Sequence, residues 1–133
     1  MKLNRIDHIG IAVNSIESAG NFFSEILSLK PYNVEIIESQ KVRVMAFKIG
    51  ESKIEVLEAI SDESPIKKFI EKKGEGIHHI AYEVDNIRDA LADLENQGVF
   101  LIDKTPRNGL HGTKIAFIHP KSSAGILTEL VER

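Results

Sequence analysis

The chain has 133 residues, of which 42% are hydrophobic and 28% charged, and its net charge is −3. This length and composition are typical of one globular domain, and the small negative charge argues against a nucleic-acid partner. The chain has no cysteine, which excludes disulfides, thiolate metal ligands and cysteine nucleophiles, and no apolar run approaches the ~18 residues of a membrane helix. We therefore expect a cytoplasmic globular domain with neither a nucleic-acid nor a membrane partner.

The first half of the chain predicts one strand, one helix and three further strands. In the stretch DHIGIAV, from Asp7 to Val13, large aliphatic residues alternate with histidine, glycine and alanine, as in a strand with one buried face. Asn14 can cap a helix, with Glu17 three positions later, and apolar residues recur at helical spacing from Ile16 to Leu27. Three strand-like runs follow, at Val34–Ile37, Val42–Phe47 and Lys53–Leu57.

The second half repeats this order after one linking helix. Ser64 can cap the linking helix, Pro65 fits its first turn and Gly74 suits its end. The alternating strand His78–Val84 follows, and Asp85 can cap the next helix. The remaining predicted elements are a helix that carries Ile87, Ala90, Leu91 and Leu94 and is ended by Gly98, and the strands Val99–Ile102, Thr113–Ile118 and Gly125–Val131.

Each half therefore reads as a βαβββ module, the first over about residues 4–60 and the second over about residues 76–133, with the linking helix at about 64–74. A unit of about 60 residues is marginally stable alone, so we expect the two modules to share a core and form a single α+β domain over residues 1–133. The predicted architecture is a curved mixed sheet with helices on its outer face, which leaves the other face free for a site.

Strand alternation places one histidine and one glutamate of each module on the face opposite the large aliphatic residues. These are His8 and Glu55 in the first module and His79 and Glu129 in the second. Two carboxylates on one enclosed face are costly unless they are paired or coordinated, and a divalent ion removes their mutual repulsion. Because two imidazoles and two carboxylates suit Co, Ni, Mn or Zn, we predict a divalent-metal site with two positions open for substrate oxygens.

A lone histidine on a strand is most often a structural or surface residue. We adopt that interpretation for His78, which lies on the aliphatic side of its strand and is expected to pack or to support a neighbouring ligand. His111 and His119 lie in predicted loops and are expected at the surface. The correspondence between the two modules is what separates His8 and His79 from these three.

Five motifs resemble the vicinal oxygen chelate superfamily and, within it, the methylmalonyl-CoA epimerases: DHIGIAV, IEVLE, SPIKKFIEKKGEGIHHIA, HGTKIAFIHPKS and GILTELVE. The resemblance extends from about Asp7 to Glu132. The resemblance implies a homodimer in which His8, Glu55, His79 and Glu129 bind a divalent metal. It also implies an acyl-CoA thioester as substrate, and interconversion of (R)- and (S)-methylmalonyl-CoA through a metal-stabilised enolate. Glu129 is expected to act as an acid/base, and Glu55 as a ligand and candidate second acid/base.

The chain departs from part of this family in the run KVRVMAF. Arg43 occupies the position at which some of the epimerases that this chain resembles have a glutamate, which is proposed to be their second base. The identity of the second base is therefore open, and Arg43 is a candidate partner for the substrate carboxylate. Lys121 and Ser122, in the run HPKS, are further candidates for contact with the malonyl or CoA part of the substrate.

Other members of the superfamily offer alternative functions. Glyoxalase I, the lactoylglutathione lyase, resembles this chain in fold and in its His-Glu-His-Glu pattern, but the run SPIKKF and the run HPKS resemble the epimerases. Extradiol dioxygenases and thiol-transferring resistance proteins typically use three metal ligands, so a fourth carboxylate at Glu55 disfavours them. A metal-free binding module of the bleomycin-resistance kind would not need both histidines and both glutamates.

Overall fold

The structure is a computed structural model that describes residues 1–32 and 34–133. The first half contains the elements β1 (Arg5–Ala12), α1 (Ile16–Asn21), a π-helical segment (Phe22–Ile26), β2 (Glu35–Ile37), β3 (Val42–Ile49), β4 (Ser52–Ala59) and α2 (Pro65–Lys73). The second half contains β5 (Gly76–Glu83), α3 (Ile87–Asn96), β6 (Arg107–Asn108), a 3-10 turn (Leu110–Gly112), β7 (Lys114–Ile118), a second 3-10 turn (Pro120–Ser122) and β8 (Leu127–Glu132). Within the described residues, no helix has both the length and the apolar composition needed to cross a membrane.

The strands form one mixed sheet in the order β2-β3-β4-β1-β5-β8-β7-β6. β1 pairs in parallel with β4, and β5 pairs in parallel with β8, whereas the pairs β3–β4 and β7–β8 are antiparallel. The order β2-β3-β4-β1 in the first half is repeated as β6-β7-β8-β5 in the second. The predicted duplicated α+β architecture is therefore confirmed.

The chain divides into two compact units. The first-half unit comprises His8–His78, and the second-half unit comprises Met1–Asp7 together with His79–Arg133. Each unit has its own apolar clusters.

Helices pack on both sides of the strands in the first-half unit. On one side, Ile16 of α1 is buried with Phe47 and Val56 of the strands. On the other side, Ile66 of α2 is buried with Leu57 of β4. Adjacent residues of a strand point to opposite faces, so Val56 and Leu57 mark the two faces. The expectation that the second face would be free is wrong where α2 covers it.

The second-half unit has one helix-covered face and one face that carries the predicted ligands. Ile87 and Leu91 of α3 are buried against Leu130 of β8. The opposite face of β5, β7 and β8 holds a second apolar cluster of buried residues, Ala81, Ile115, Phe117 and Val131. Glu129 alternates with Leu130 along β8, so it lies on the face of this second cluster.

A buried carboxylate precedes the first predicted ligand. Asp7 is 1% exposed and accepts two hydrogen bonds from the Arg133 guanidinium, at 2.9 and 3.1 Å. A two-point bond between a guanidinium and a carboxylate fixes both position and orientation. Asp7 therefore ties the start of β1 to the end of the second-half unit.

Two predicted helix caps are wrong by one residue. The cap of α1 is Ser15, whose hydroxyl accepts a hydrogen bond from Ser18 N–H, rather than Asn14. The cap of α3 is Asn86, which accepts from Asp89 N–H, rather than Asp85. Neighbouring residues of the capping type can each satisfy the first turn, and the chain direction at the end of the strand decides between them. The linking helix is capped by Ser64 at its start and by Gly74 at its end, as predicted.

The predicted helix from Ile16 to Leu27 changes type halfway. After Asn21 the chain forms the π-helical segment, in which Leu27 N–H donates to the Phe22 carbonyl at 3.1 Å. The wider π-turn moves the following residues off the helical stripe. Ile26 is consequently 71% exposed instead of buried.

The run Val99–Ile102 is not a strand. It contributes one isolated bridge, between Leu101 and Ile118, and the module takes its outer strand from β6 instead. The other predicted strands agree with the structure to within a few residues at their ends.

Candidate metal centre

The first-half unit brings one predicted histidine and one predicted glutamate together. His8 on β1 and Glu55 on β4 lie on neighbouring parallel strands, where Gly10 is the register partner of Glu55. The His8 Nε2 atom is 3.6 Å from the Glu55 Oε1 atom. His8 is 7% exposed, and the Glu55 side chain is 15% exposed.

The second-half unit repeats this arrangement with the same offset. His79 on β5 and Glu129 on β8 lie on neighbouring parallel strands, where Ala81, two residues after the histidine, is the register partner of Glu129. The His79 Nε2 atom is 3.4 Å from the Glu129 Oε1 atom. Both residues are 6% exposed. The two His–Glu pairs therefore have the same register, nearly the same separation and similar burial.

The separations within the pairs fit a shared cation better than a hydrogen bond. Distances of 3.4 and 3.6 Å exceed the usual length of about 2.7–3.2 Å for N–H···O hydrogen bonds. Two ligands that are each about 2.0–2.2 Å from one ion lie roughly 3–4.4 Å apart, depending on the coordination angle. Each pair can therefore provide two neighbouring ligands of one divalent ion.

Three of the four predicted ligands also form a group by distance. Among residues 1–32 and 34–133, His8, His79 and Glu129 each offer one ligand atom, and these atoms lie within 4.8 Å of one another. All three residues are buried. Glu55 lies outside this group and contacts it through His8.

An aromatic ring borders the second pair. The Phe117 ring stands edge-on to the His79 ring, with ring centres 6.2 Å apart. The Arg107 guanidinium lies over the Phe117 ring at 5.1 Å, and it donates two hydrogen bonds of 3.0 Å to Asp103. Asp103 also accepts the Phe117 N–H at 2.9 Å. Sequence reasoning missed this support for His79, because Arg107 and Asp103 lie in a stretch with no regular periodicity.

His78 packs, as predicted from its place in the strand. Its ring lies edge-on to the Phe69 ring of α2, with ring centres 5.1 Å apart. Burial lowers the pKa of His78 from 6.5 to about 4, because desolvation disfavours the charged imidazolium. His78 is therefore neutral near pH 7.

Arg43 lies on the α1 side of the sheet. Its register partner on β4 is Glu58, whereas the partner of Glu55 is Ala46. Arg43 therefore lies on the opposite face of the sheet from Glu55. Its guanidinium is 3.4 Å from Glu58 and 3.2 Å from Glu17 of α1. Both carboxylates are on the helix side of β1–β4, so the structure links Arg43 to α1 and gives no support to a contact with substrate.

The residues of β3 that share the face of Glu55 include no carboxylate: they are Val42, Val44, Ala46 and Lys48. Ala46 is the direct register partner of Glu55. A second carboxylate acid/base therefore has to come from a strand other than β3.

Lys121 and Ser122 lie in the second 3-10 turn, before β8. The Ser122 hydroxyl accepts a hydrogen bond from Phe100 N–H at 2.9 Å, and the Lys121 ammonium lies 6.0 Å from the centre of the Phe100 ring. The His119 side chain caps this turn by accepting the Lys121 N–H at 2.9 Å, so His119 has a structural role that its loop position did not predict. His111 is exposed, as expected.

One basic residue of the candidate site was not singled out from the sequence. Lys53 is the register partner of His8 on β4, and its ammonium is 3.9 Å from the Glu55 carboxylate. The alternation of Lys53 with Ile54 and Glu55 in the run SKIEV was sufficient to place it on the ligand face.

Comparison with known proteins supports the same family as these features. The family model of the glyoxalase/bleomycin resistance protein/dioxygenase superfamily matches residues 7–117. The uncharacterized protein YqjC of Bacillus subtilis is 46% identical over 98% of this chain and 93% of its own length. The mitochondrial methylmalonyl-CoA epimerase of Homo sapiens is 36% identical over 96% of this chain and 73% of its own length. A solved methylmalonyl-CoA epimerase, in complex with methylmalonyl-CoA and NH4+, has a TM-score of 0.92 at 36% identity and covers 98% of this chain and 95% of its own.

Proposed function

This chain belongs to the glyoxalase/bleomycin resistance protein/dioxygenase superfamily, and we propose that it is a metal-dependent epimerase that interconverts (R)- and (S)-methylmalonyl-CoA. The observation that carries the proposal is the repeated His–Glu pair, with separations of 3.6 and 3.4 Å in the same strand register. The likeness to epimerases over nearly the whole chain, one of them with methylmalonyl-CoA bound, selects the substrate.

We propose that His8, Glu55, His79 and Glu129 hold one divalent ion. The distances within the pairs and the burial of the group formed by His8, His79 and Glu129 fit this assignment. Mixed imidazole and carboxylate donors suit Co, Ni, Mn or Zn. When bound, such an ion supplies Lewis-acid stabilisation of the negative charge that develops on the thioester oxygen.

We assign the proton transfer to the carboxylates of Glu129 and Glu55. The proton to be moved lies on the α-carbon, between the thioester and the free carboxylate of the substrate. Glu129 is buried on the same sheet face as an apolar cluster, which limits the access of water to its carboxylate. Inversion requires removal of the proton on one side of the α-carbon and delivery on the other. We assign Glu129 to one side and Glu55 to the other, since β3 presents no carboxylate to this face.

A substitution of the proposed base tests this function. Glu129→Gln keeps the size of the side chain and removes the proton acceptor, so exchange of the α-proton of methylmalonyl-CoA with deuterated solvent should fall by about 10²-fold or more. Exchange is measured by mass spectrometry, and circular dichroism checks the fold. Glu132→Gln, on the same strand but on the opposite face, is the matched control and should exchange at the wild-type rate.

A comparison of two substrates separates the proposed function from that of glyoxalase I. The wild-type protein should exchange the α-proton of methylmalonyl-CoA and leave the hemithioacetal of methylglyoxal and glutathione unchanged. Turnover of the hemithioacetal without exchange would replace the proposed function, and wild-type exchange in the Glu129→Gln variant would remove Glu129 from the chemistry.

Two finer expectations belong to this proposal. We expect a homodimer, which light scattering coupled to size-exclusion chromatography would measure, and we expect the enzyme to act in the cytoplasm, which fractionation of the source cells would test.

A further inference from the structure

Lys53 is a cation on the ligand face of the first-half unit. It is the register partner of His8, and it lies two residues before Glu55 on β4, so the three side chains share one face of the sheet. Its ammonium is 3.9 Å from the Glu55 carboxylate, which is longer than a hydrogen bond. The Lys53 side chain is 27% exposed, so the charged group lies at the rim of the site.

The charges around Lys53 are unbalanced in a way that an anion would correct. Lys48 on β3 is the direct register partner of Lys53 on β4, and like charges directly opposite each other in an antiparallel pair destabilise the sheet. The carboxylates of Glu55 and Glu129 together neutralise one divalent ion. The positive charges of Lys53 and Lys48 then exceed the negative charge of these carboxylates, and a negative charge on a ligand beside Lys53 would offset part of the excess.

We propose that Lys53 binds the free carboxylate of a malonyl-type thioester and thereby selects carboxylated acyl-CoA substrates over neutral ones. The inference rests on the proposed function and adds to it the residue that recognises the malonyl carboxylate. An ammonium has three hydrogen-bond donors and acts as a point charge, so it can hold a carboxylate without fixing its plane. Lys53 is a specificity residue in this role, and it takes no part in the proton transfer.

The test compares two ligands that differ at the carboxylate. Malonyl-CoA and propionyl-CoA share the CoA part, so contacts of the CoA phosphates affect both equally. Binding of each ligand to the protein loaded with cobalt is measured by isothermal titration calorimetry. The variants are Lys53→Gln, Lys53→Arg as the conservative replacement, and Lys48→Gln as a control that removes an equal charge on the neighbouring strand.

Lys53→Gln should bind malonyl-CoA about 10-fold or more weakly, as expected for loss of a charge-assisted contact, and should bind propionyl-CoA as the wild type does. Lys53→Arg should keep most of the preference for malonyl-CoA, and Lys48→Gln should change the ratio of the two affinities by less than about 2-fold because exposed charges are screened. Metal content, measured by mass spectrometry, should be the same in all four proteins.

The proposal is overturned if Lys53→Gln weakens both ligands equally, or neither. Loss of metal in Lys53→Gln would also overturn it, because the residue would then act through Glu55. The wild-type exchange assay judges the proposed function separately. If wild-type protein exchanges the α-proton but Lys53→Gln keeps the full preference for malonyl-CoA, the role of Lys53 fails while the epimerase function stands.

Discussion

The two histidines of the repeated pair differ from the other histidines of the chain in what lies beside them. His8 and His79 are each buried next to a carboxylate on the neighbouring parallel strand. His78 packs against the Phe69 ring instead, and His119 caps a turn. At the scale of single residues, a buried imidazole within 3.6 Å of a carboxylate is the feature that separates a candidate ligand from a structural histidine.

Adjacent histidines on β5 allow a direct test of this distinction. His79→Ala should lose bound metal, because it removes one of the proposed ligands, while the fold is retained. His78→Ala should keep the metal and lower the free energy of unfolding by about 1–3 kcal/mol, through the lost aromatic contact and buried area. Metal content is measured by mass spectrometry and stability by urea unfolding.

His78→Phe serves as the control for packing, since an aromatic ring at this position can keep the contact with Phe69. It should recover most of the stability that His78→Ala loses. Loss of metal in His78→Ala, with metal retained in His79→Ala, would mean that the ligand face of β5 has been assigned to the wrong residue.

At the scale of elements, the linking helix α2 does more than join the modules. Ser64, at its start, is 0% exposed; its hydroxyl accepts the Ile66 N–H at 3.2 Å and donates to the Gln40 carbonyl at 3.1 Å. The cap therefore ties α2 to the turn between β2 and β3. Ile66 of the same helix is 3% exposed, so α2 forms a part of the core on the side away from α1.

Caps with different burial should differ in their contribution to stability. Ser64→Ala should lower the free energy of unfolding by about 2 kcal/mol, because it removes a cap bond and leaves the partly buried carbonyl of Gln40 without this donor. Asn86→Ala removes the exposed cap of α3, a single bond to Asp89 N–H of 3.0 Å, and should cost about 1 kcal/mol.

Both values are read from urea unfolding of the variants and the wild type. Equal losses in Ser64→Ala and Asn86→Ala would contradict the additional role of Ser64 in holding α2 to the turn.

At the scale of the whole molecule, the proposed ligands come from both halves of the chain. Each unit supplies one His–Glu pair. A ligand that binds only the folded state stabilises it by mass action, by about 2.7 kcal/mol at a concentration 100 times its dissociation constant. Bound metal should therefore raise the free energy of unfolding of the protein.

Removal of the metal provides the corresponding prediction. Treatment with EDTA should lower the melting temperature, by an amount on the order of 10 °C, and added cobalt or zinc should restore it. Differential scanning calorimetry measures the change. His79→Ala should melt at the same temperature with and without EDTA; a wild-type protein equally indifferent to EDTA would contradict the proposed metal centre.

The amino-acid sequence by itself determined the duplicated order of strands and helices, apart from the run Val99–Ile102, and the sheet face that the four proposed ligands take. Both follow from local rules, since alternation along a strand has a period of two and needs no knowledge of the partner strand. Helix boundaries set by Ser64, Pro65 and Gly74 were also predictable, because capping depends on a few neighbouring residues.

Only the tertiary structure decided which neighbours the polar side chains meet. The sequence suggested Arg43 as a partner of substrate, but pairing with β4 turns it toward Glu58 and Glu17. The register of β1 with β4 likewise places Lys53 beside His8, and the packing of Ile66 shows that α2 covers part of a face predicted to be free. These contacts join residues distant in the chain, and strand register and helix packing, which set them, depend on the whole core and not on local periodicity.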